Sequence, residues 1–354
     1  MTLLNNTYHF SVAQLMLLTA GAATLTTGLY FSRKKIWIVA SCIFLVISQS
    51  LIFIDWDSSK YGTISTTILL VTIVIAFQRN RFYSKIRSEV NQLFDSGLIR
   101  EPIITIESLQ DLPPIVRKWM IRSNIIGKPP IQALFIKQRG EMRPKPDGKW
   151  MHFRAVQYVN VDDPGFIWKA IIDSGLLIPI NARDRYLHGH GNMLIKSIYT
   201  IPIANSRGPE IDQGSLMRFL AEIIWFPSAA LATYIRWDYL SETSATATID
   251  DGVNSVSGVF TFHPNGDVKS FEGLRYRDVN YHYALEKWQI DVKGYRVFGS
   301  VRIANQAEVS WENNGETFTW LKLEISKLKF KYGRDAGEIV AESSDLLQPY
   351  FQLN

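Results

Sequence analysis

The 354-residue chain carries 38 basic and 33 acidic residues, a net charge of +5. The excess is local: the first 87 residues hold eight Lys/Arg against two Asp/Glu, and the remainder holds 30 against 31. A neutral remainder lacks the basic footprint of a nucleic-acid binder, and a single cysteine, Cys42, excludes a disulfide framework and a cysteine metal site.

Three apolar runs fill the amino-terminal part: Val12 to Phe31, Ile36 to Ile54, and Tyr61 to Phe77. A helix of about 20 residues spans a hydrocarbon core of about 30 Å, so the runs predict three transmembrane spans. A cleaved signal peptide fits the first run poorly, because no Lys or Arg precedes it and two more runs follow. Arg33, Lys34 and Lys35 lie in the first connection, and Arg79, Arg81, Lys85 and Arg87 follow the third run. The positive-inside rule then places the rest of the chain in the cytoplasm, at the inner (plasma) membrane.

Beyond the anchor, helices are expected from Ser84 to Leu98 and from Pro114 to Ser123, the second opened by Pro113-Pro114, where a missing N–H costs nothing. They read as a stalk over residues 88–130. From residue 131 the texture turns to strands rich in β-branched and aromatic residues. The expected strands are Ile131–Lys137, Trp150–Val159, Phe166–Ile172, Ala182–His188 and Met193–Ile201. A second series covers Ile235–Leu240, Ala245–Ile249, Val253–Phe262, Val268–Tyr276, Lys287–Val292, Tyr295–Ile303, Ala307–Trp311 and Thr317–Phe330. Asp251-Gly252, Asn265-Gly266 and Asn314-Gly315 suit hairpin turns. About a dozen antiparallel strands must curl to protect their edges. The expected fold class is therefore a three-span α-helical membrane anchor (1–87) plus an α+β soluble domain (131–354), a large curved antiparallel sheet or half-barrel with one or two packed helices.

One helix interrupts the strands, from Gln213 to Phe226, with Leu216, Phe219, Leu220, Ile223 and Ile224 forming an apolar stripe. Arg218, Glu222 and Trp225 share the opposite face. A tryptophan does not belong on a merely solvated face, so either the helix is sandwiched or this second face lines a cavity.

Several segments resemble a family of uncharacterised, mostly bacterial proteins known as a domain of unknown function. They are Leu112-Pro113-Pro114 with Val116 and Trp119, then Pro164-Gly165-Phe166-Ile167-Trp168-Lys169-Ala170. Asp184, Tyr186, Gly189 and Gly191 follow, then Arg207-Gly208-Pro209-Glu210, and last Arg218-Phe219-Leu220-Ala221-Glu222-Ile223-Ile224-Trp225-Phe226-Pro227. The resemblance runs from about residue 110 to 280 and implies membrane helices joined to one β-rich domain. That organisation is in turn similar to the half-barrel of LolA-like lipoprotein carriers, which implies an apolar concave face for acyl chains. Those carriers work outside the inner membrane, whereas the charge pattern here places the domain inside.

Three clusters are candidate sites. In an extended strand Asp184, Tyr186, His188 and His190 would alternate onto one face, and two imidazoles with a carboxylate are a zinc donor set. Ordinary strand packing explains the same spacing, and no metal or cofactor is assigned. Arg218 and Glu222 are spaced as an i, i+4 ion pair. Buried in a cavity, Glu222 would have a raised pKa and be able to exchange protons. Trp168, Trp225, Phe226 and Trp237 suit either a core or the lining of a roomy apolar interior. Ser206, Ser215 and Ser228 lack a nucleophile elbow, and no glycine-rich phosphate loop occurs. The reading is a membrane-tethered protein that binds a hydrophobic or lipid-like ligand through Trp168, Asp184, Tyr186, Arg207, Arg218, Glu222, Trp225 and Phe226. An enzyme using Glu222 as acid/base, or a structural partner of another membrane protein, remains the alternative.

Overall fold

The computed structural model describes residues 21, 36–95, 102–175, 178–279, 282–313 and 315–332. The chain divides into two compact units, Met1–Phe82 and Tyr83–Asn354. Among the described residues two helices are long and apolar enough to cross a membrane, not three. They are α1 (Ile36–Ile54) and α2 (Gly62–Leu93), joined through a helical turn at Trp56–Ser59. The expected first span, Val12 to Phe31, lies outside the described residues apart from Gly21. The expected third span and the helix from Ser84 are one continuous helix, because no Gly or Pro between Phe77 and Ser84 interrupts it. Within the first unit, Thr66 Oγ1 donates to Gln49 Oε1 at 2.6 Å, a polar link between two apolar helices.

In the second unit the carboxyl-terminal turns of α2 carry Glu89, which lies 3.3 Å from Arg183 and 3.4 Å from Arg185. The Arg183 side chain is fully buried, and its guanidinium also donates to the Asn192 backbone and side-chain oxygens. Next comes α3 (Pro114–Arg122), which buries Ile115, Val116, Trp119 and Met120. The segment expected as a stalk is therefore part of the core: the Trp119 ring stacks on Phe260 at 6.1 Å and meets Trp237 edge-on at 6.3 Å.

Thirteen strands form one antiparallel sheet in the spatial order β6-β5-β4-β3-β2-β1-β13-β12-β11-β10-β9-β8-β7. They are β1 (Ala133–Met142), β2 (Met151–Asn160), β3 (Gly165–Ile172), β4 (Ile180–Leu187), β5 (His190–Ser197), β6 (Ile201–Ser206), β7 (Ile235–Ser241), β8 (Ser244–Asp250), β9 (Ser255–Phe262), β10 (Val268–Val279), β11 (His282–Phe298), β12 (Val301–Asn313) and β13 (Glu316–Lys331). Two meanders meet where β1 pairs with β13. The edge strands, β6 and β7, are consecutive in the chain, and the segment between them holds α4 (Pro209–Glu222) and the 3-10 turns Ile223–Trp225 and Pro227–Leu231. Because α4 packs against β3, β4 and β5 and against β8, β9 and β10, the sheet must curl around it. Bulges at Lys137/Gln138, Ile195/Lys196, Val292–Tyr295 and Val309/Ser310 add twist at intervals along that curl.

The turn residues account for where strand boundaries differ from expectation. The run Met193 to Ile201 is two strands, because Ile198 and Tyr199 take positive φ of 49° and 62°. Neither residue type announces such a turn. Conversely, β11 passes straight through Lys293-Gly294 as a bulge, and the reversal falls at Gly299-Ser300, with φ of 51° and 71°. Asp251-Gly252 and Asn265-Gly266 lie at turns as expected, with Gly252 and Gly266 at φ 84° and 92°.

Candidate ligand-binding site

The helix between the edges begins where Gly208 takes φ 121° and Pro209 fills the first helical turn, so the Arg207-Gly208-Pro209-Glu210 motif is a helix start. Residues Leu216, Phe219 and Leu220 pack into the core. The helix can lie close to the sheet because of glycine: a Cβ on Gly191 would stand 2.7 Å from the Ile211 carbonyl oxygen, and one on Gly273 would stand 2.8 Å from Met217 Sδ. Thus Gly191 permits backbone contact between β5 and α4.

Between the opposite face of α4 and the concave sheet lies a cavity of about 410 Å³. Its wall is mainly apolar: Phe153, Ile172, Ala182, Met193 and Ile195 on one side, and Trp288, Ile290, Val309, Trp311, Phe318 and Trp320 on the other. Arg218, Ala221, Glu222, Ile224 and Trp225 form the helical wall, so the second face of this helix borders a void.

A polar band crosses the greasy surface. Cross-strand register sets Gln157, Trp168, Asp184 and Met193 side by side over β2 to β5. Above that row Arg218 donates to Asp184 Oδ2 at 2.8 Å, to Glu222 Oε1 at 2.7 Å and to Gln157 Oε1 at 3.2 Å. Gln157 in turn donates to Glu222 Oε2 at 2.5 Å, and Trp168 Nε1 donates to Gln138 Oε1 at 2.8 Å. The guanidinium carbon of Arg218 also lies 4.7 Å over the Phe166 ring and 5.2 Å over Trp168.

Burial pushes the Glu222 carboxyl above its ordinary range, against the pull of Arg218 and the hydrogen bond from Gln157. Both of its oxygens are engaged, so the group is a fixed network member rather than a base with a free edge.

Of the residues singled out from sequence, Trp168, Asp184, Arg218, Glu222 and Trp225 line the cavity. Tyr186, Arg207 and Phe226 are not among its lining residues. Tyr186 is fully buried and donates to Asp251, while Asn254 donates to its hydroxyl oxygen at 3.0 Å. Burial, then the bond to Asp251, raises the phenol pKa far above normal. Arg207 is exposed, and Phe226 packs on Phe219 with centroids 5.5 Å apart. Trp237 belongs to the aromatic core with Trp119 and donates from Nε1 to the Ala230 carbonyl at 3.0 Å.

The proposed alternation of His188 and His190 with Asp184 does not survive the turn. His188 and Gly189 form the β4–β5 reversal, at φ 50° and 78°, so β4 ends at Leu187. His188 Nδ1 lies 3.3 Å from Asp163 and His190 Nδ1 lies 3.4 Å from Asp212, two different carboxylates. Among the described residues no group of three His, Cys, Asp or Glu is arranged to hold a metal.

Other lining residues escaped the sequence reading: Arg143, Arg275, Arg277, Trp288, Trp311 and Trp320. Arg143 lies 5.1 Å from the Phe318 ring and donates to the Thr319 carbonyl at 3.0 Å. Arg277 pairs with Glu286 at 3.0 Å and lies 5.5 Å from Trp311. Burial lowers the Arg275 pKa to about 10, partly offset by Asp184. The two-residue spacing of Arg275 and Arg277 marks a shared strand face. Only register shows that this face meets Trp288 and Trp311, which are cross-strand partners.

The solved structures similar to this chain include the following two. One, described as an outer membrane lipoprotein-sorting protein domain from Vibrio parahaemolyticus, is 13% identical with a TM-score of 0.29, covering 59% of this chain and 91% of that one. The other, a DUF1329 family protein from Desulfovibrio piger, is 12% identical with a TM-score of 0.30, covering 57% and 86%. No curated protein matches the chain. A family model matches residues 102–323, a span that holds the whole cavity wall, and the chain belongs to that family of unknown function, DUF6544.

Proposed function

We propose that this protein holds a hydrophobic or lipid-like molecule in the cavity beside α4, tethered to the inner membrane by its apolar amino-terminal helices. The observation that carries the reading is the void itself: about 410 Å³ with mainly aromatic and aliphatic walls. Pockets for small ligands run from about 300 to 1,000 Å³ with few polar groups, and this one fits that pattern. Burying hydrocarbon there contributes about 0.8 kcal/mol per CH₂. The Arg218–Asp184–Glu222 band gives the wall a polar orienting element. Full engagement of Glu222 favours binding over acid/base chemistry.

Lipid extraction and native mass spectrometry of detergent-purified protein should find a co-purified apolar molecule. Ala204→Trp, which places bulk against the cavity, should reduce its occupancy. Protein that carries nothing, and whose uptake of a hydrophobic probe ignores Ala204→Trp, would refute the reading.

The tether is proposed with the domain on the cytoplasmic side, supported by the basic residues at 33–35 and 79–87. In a Cys42→Ala background, a cysteine replacing exposed Lys145 should react with an impermeant maleimide only after lysis. Labelling in intact cells would reverse the assigned side.

A further inference from the structure

Among the buried side-chain atoms of the cavity-lining residues that find no hydrogen-bond partner, two are donors and one is an acceptor. The Arg275 guanidinium gives one hydrogen bond, Nε to the Gly214 carbonyl at 2.8 Å, and among the described residues it makes no ion pair. Its Cζ lies 4.7 Å over Trp288 and 5.9 Å from the centre of Trp311, so two rings hold the group in place. The buried Nε1 atoms of Trp288 and Trp320 donate to nothing among the described residues. Against these donors stands one buried acceptor without a partner, Asp184 Oδ1, while the half-buried Glu210 carboxylate also lines the wall.

Besides Asp184 and Glu222, the carboxylates of Glu210 and Asp278 line the cavity, and the other arginines in the wall have partners. Arg218 is paired with Asp184 and Glu222, Arg277 with Glu286, and Arg143 donates to the backbone carbonyls of Thr319 and Pro146. Asp184 and Glu222 attract Arg275 through space while Arg218 repels it, and none of the three reaches it as an ion-pair or hydrogen-bond partner. Buried N–H groups normally find acceptors. A guanidinium presents a planar fork that matches the two oxygens of a carboxylate or phosphate.

We infer that the ligand is an anionic amphiphile, its hydrocarbon against the apolar wall and its carboxylate or phosphate head on Arg275. This specifies the ligand class and rests on the hydrocarbon-binding reading above. The test uses delipidated, detergent-purified full-length protein and three probes of one chain length: oleic acid, oleoyl lysophosphatidic acid and oleyl alcohol. Charge-assisted bonds to Arg275 should make at least one acid bind about tenfold or more tighter than the alcohol in native mass spectrometry titrations. Arg275→Gln should erase that advantage, so that acid and alcohol bind about equally.

The preferred acid identifies the headgroup. Equal binding of acid and alcohol by the wild type, or undiminished acid binding by Arg275→Gln, overturns the inference and leaves the hydrocarbon cavity standing. Binding of none of the three probes removes the cavity reading and the inference together. If Arg275→Gln does not fold, Arg275→Met keeps most of the side-chain volume and removes the charge. Acid binding should then fall relative to alcohol, and an unchanged ratio overturns the inference.

Discussion

Consider Arg218→Met, which keeps most of the side-chain volume and removes the charge. Arg218 is 15% exposed, and its partners Asp184 and Glu222 are 8% and 7% exposed. The substitution therefore strands two carboxylates in a cavity wall, one of which already has an unpartnered oxygen. Removing one partner of a buried ionic network costs about 3–5 kcal/mol, because the remaining charge keeps its desolvation penalty without its attraction. At about 2 °C per kcal/mol for a unit of this size, the melting temperature should fall by about 6–10 °C near neutral pH. The sign with pH is fixed by Glu222. Burial holds its folded pKa above the ordinary value, so the folded protein takes up that proton more readily than the unfolded chain. Stability from this group is full below the ordinary carboxylate pKa and is lost as pH rises through the folded value. Without Arg218 the folded pKa rises further, so the deficit of the variant should shrink on acidification. Thermal melts of the detergent-solubilised protein, followed by tryptophan fluorescence at pH 5 and pH 8, measure both effects. A melting temperature unchanged at pH 8, or a deficit larger at pH 5, would refute the reasoning.

Asp267 provides the opposite pH sign. Burial would raise its carboxyl, but hydrogen bonds from Arg302 and Arg122 outweigh that and hold it below the usual range. Its contribution is present above the ordinary carboxylate pKa and lost as pH falls through the folded value. Asp267→Asn should accordingly destabilise at pH 7 and cost progressively less toward pH 3 in the same melts; a pH-independent cost would exclude the linkage. Gly191→Ala puts a methyl 2.7 Å from the Ile211 carbonyl oxygen, an overpacking that should cost about 1–3 kcal/mol in urea unfolding. Gly140→Ala, whose Cβ would meet the Lys322 carbonyl oxygen at 2.0 Å, should cost at least as much. A neutral result at both positions would mean that the sheet yields where backbone contact is argued to prevent it.

Local chemistry in the chain determined a good deal. Charge-free runs separate an apolar amino-terminal part from a neutral, strand-rich remainder, since length and hydropathy need no tertiary partner to be read. Period-two alternation and Asp-Gly or Asn-Gly turns gave most strands of the meander, because hairpin geometry is set by two residues. The helix stripe also separated the core face of α4 from the face bearing Arg218, Glu222 and Trp225, which a 3.6-residue period suffices to show.

Tertiary structure decided the rest. The turns at Ile198-Tyr199 and Gly299-Ser300 are imposed by the strands they join, and their residues carry little local preference for positive φ. His188 left the strand face for the same reason. Register and the pairing of β1 with β13 are non-local, since they bring residues nearly 200 positions apart into one ladder. Register within one meander sets Arg275 near Trp288 and Trp311, register within the other aligns the Gln157–Trp168–Asp184 row, and the packing of α4 brings Arg218 onto that row. A cavity is a property of surfaces that meet only after the sheet has curled, and no spacing along the chain encodes its volume.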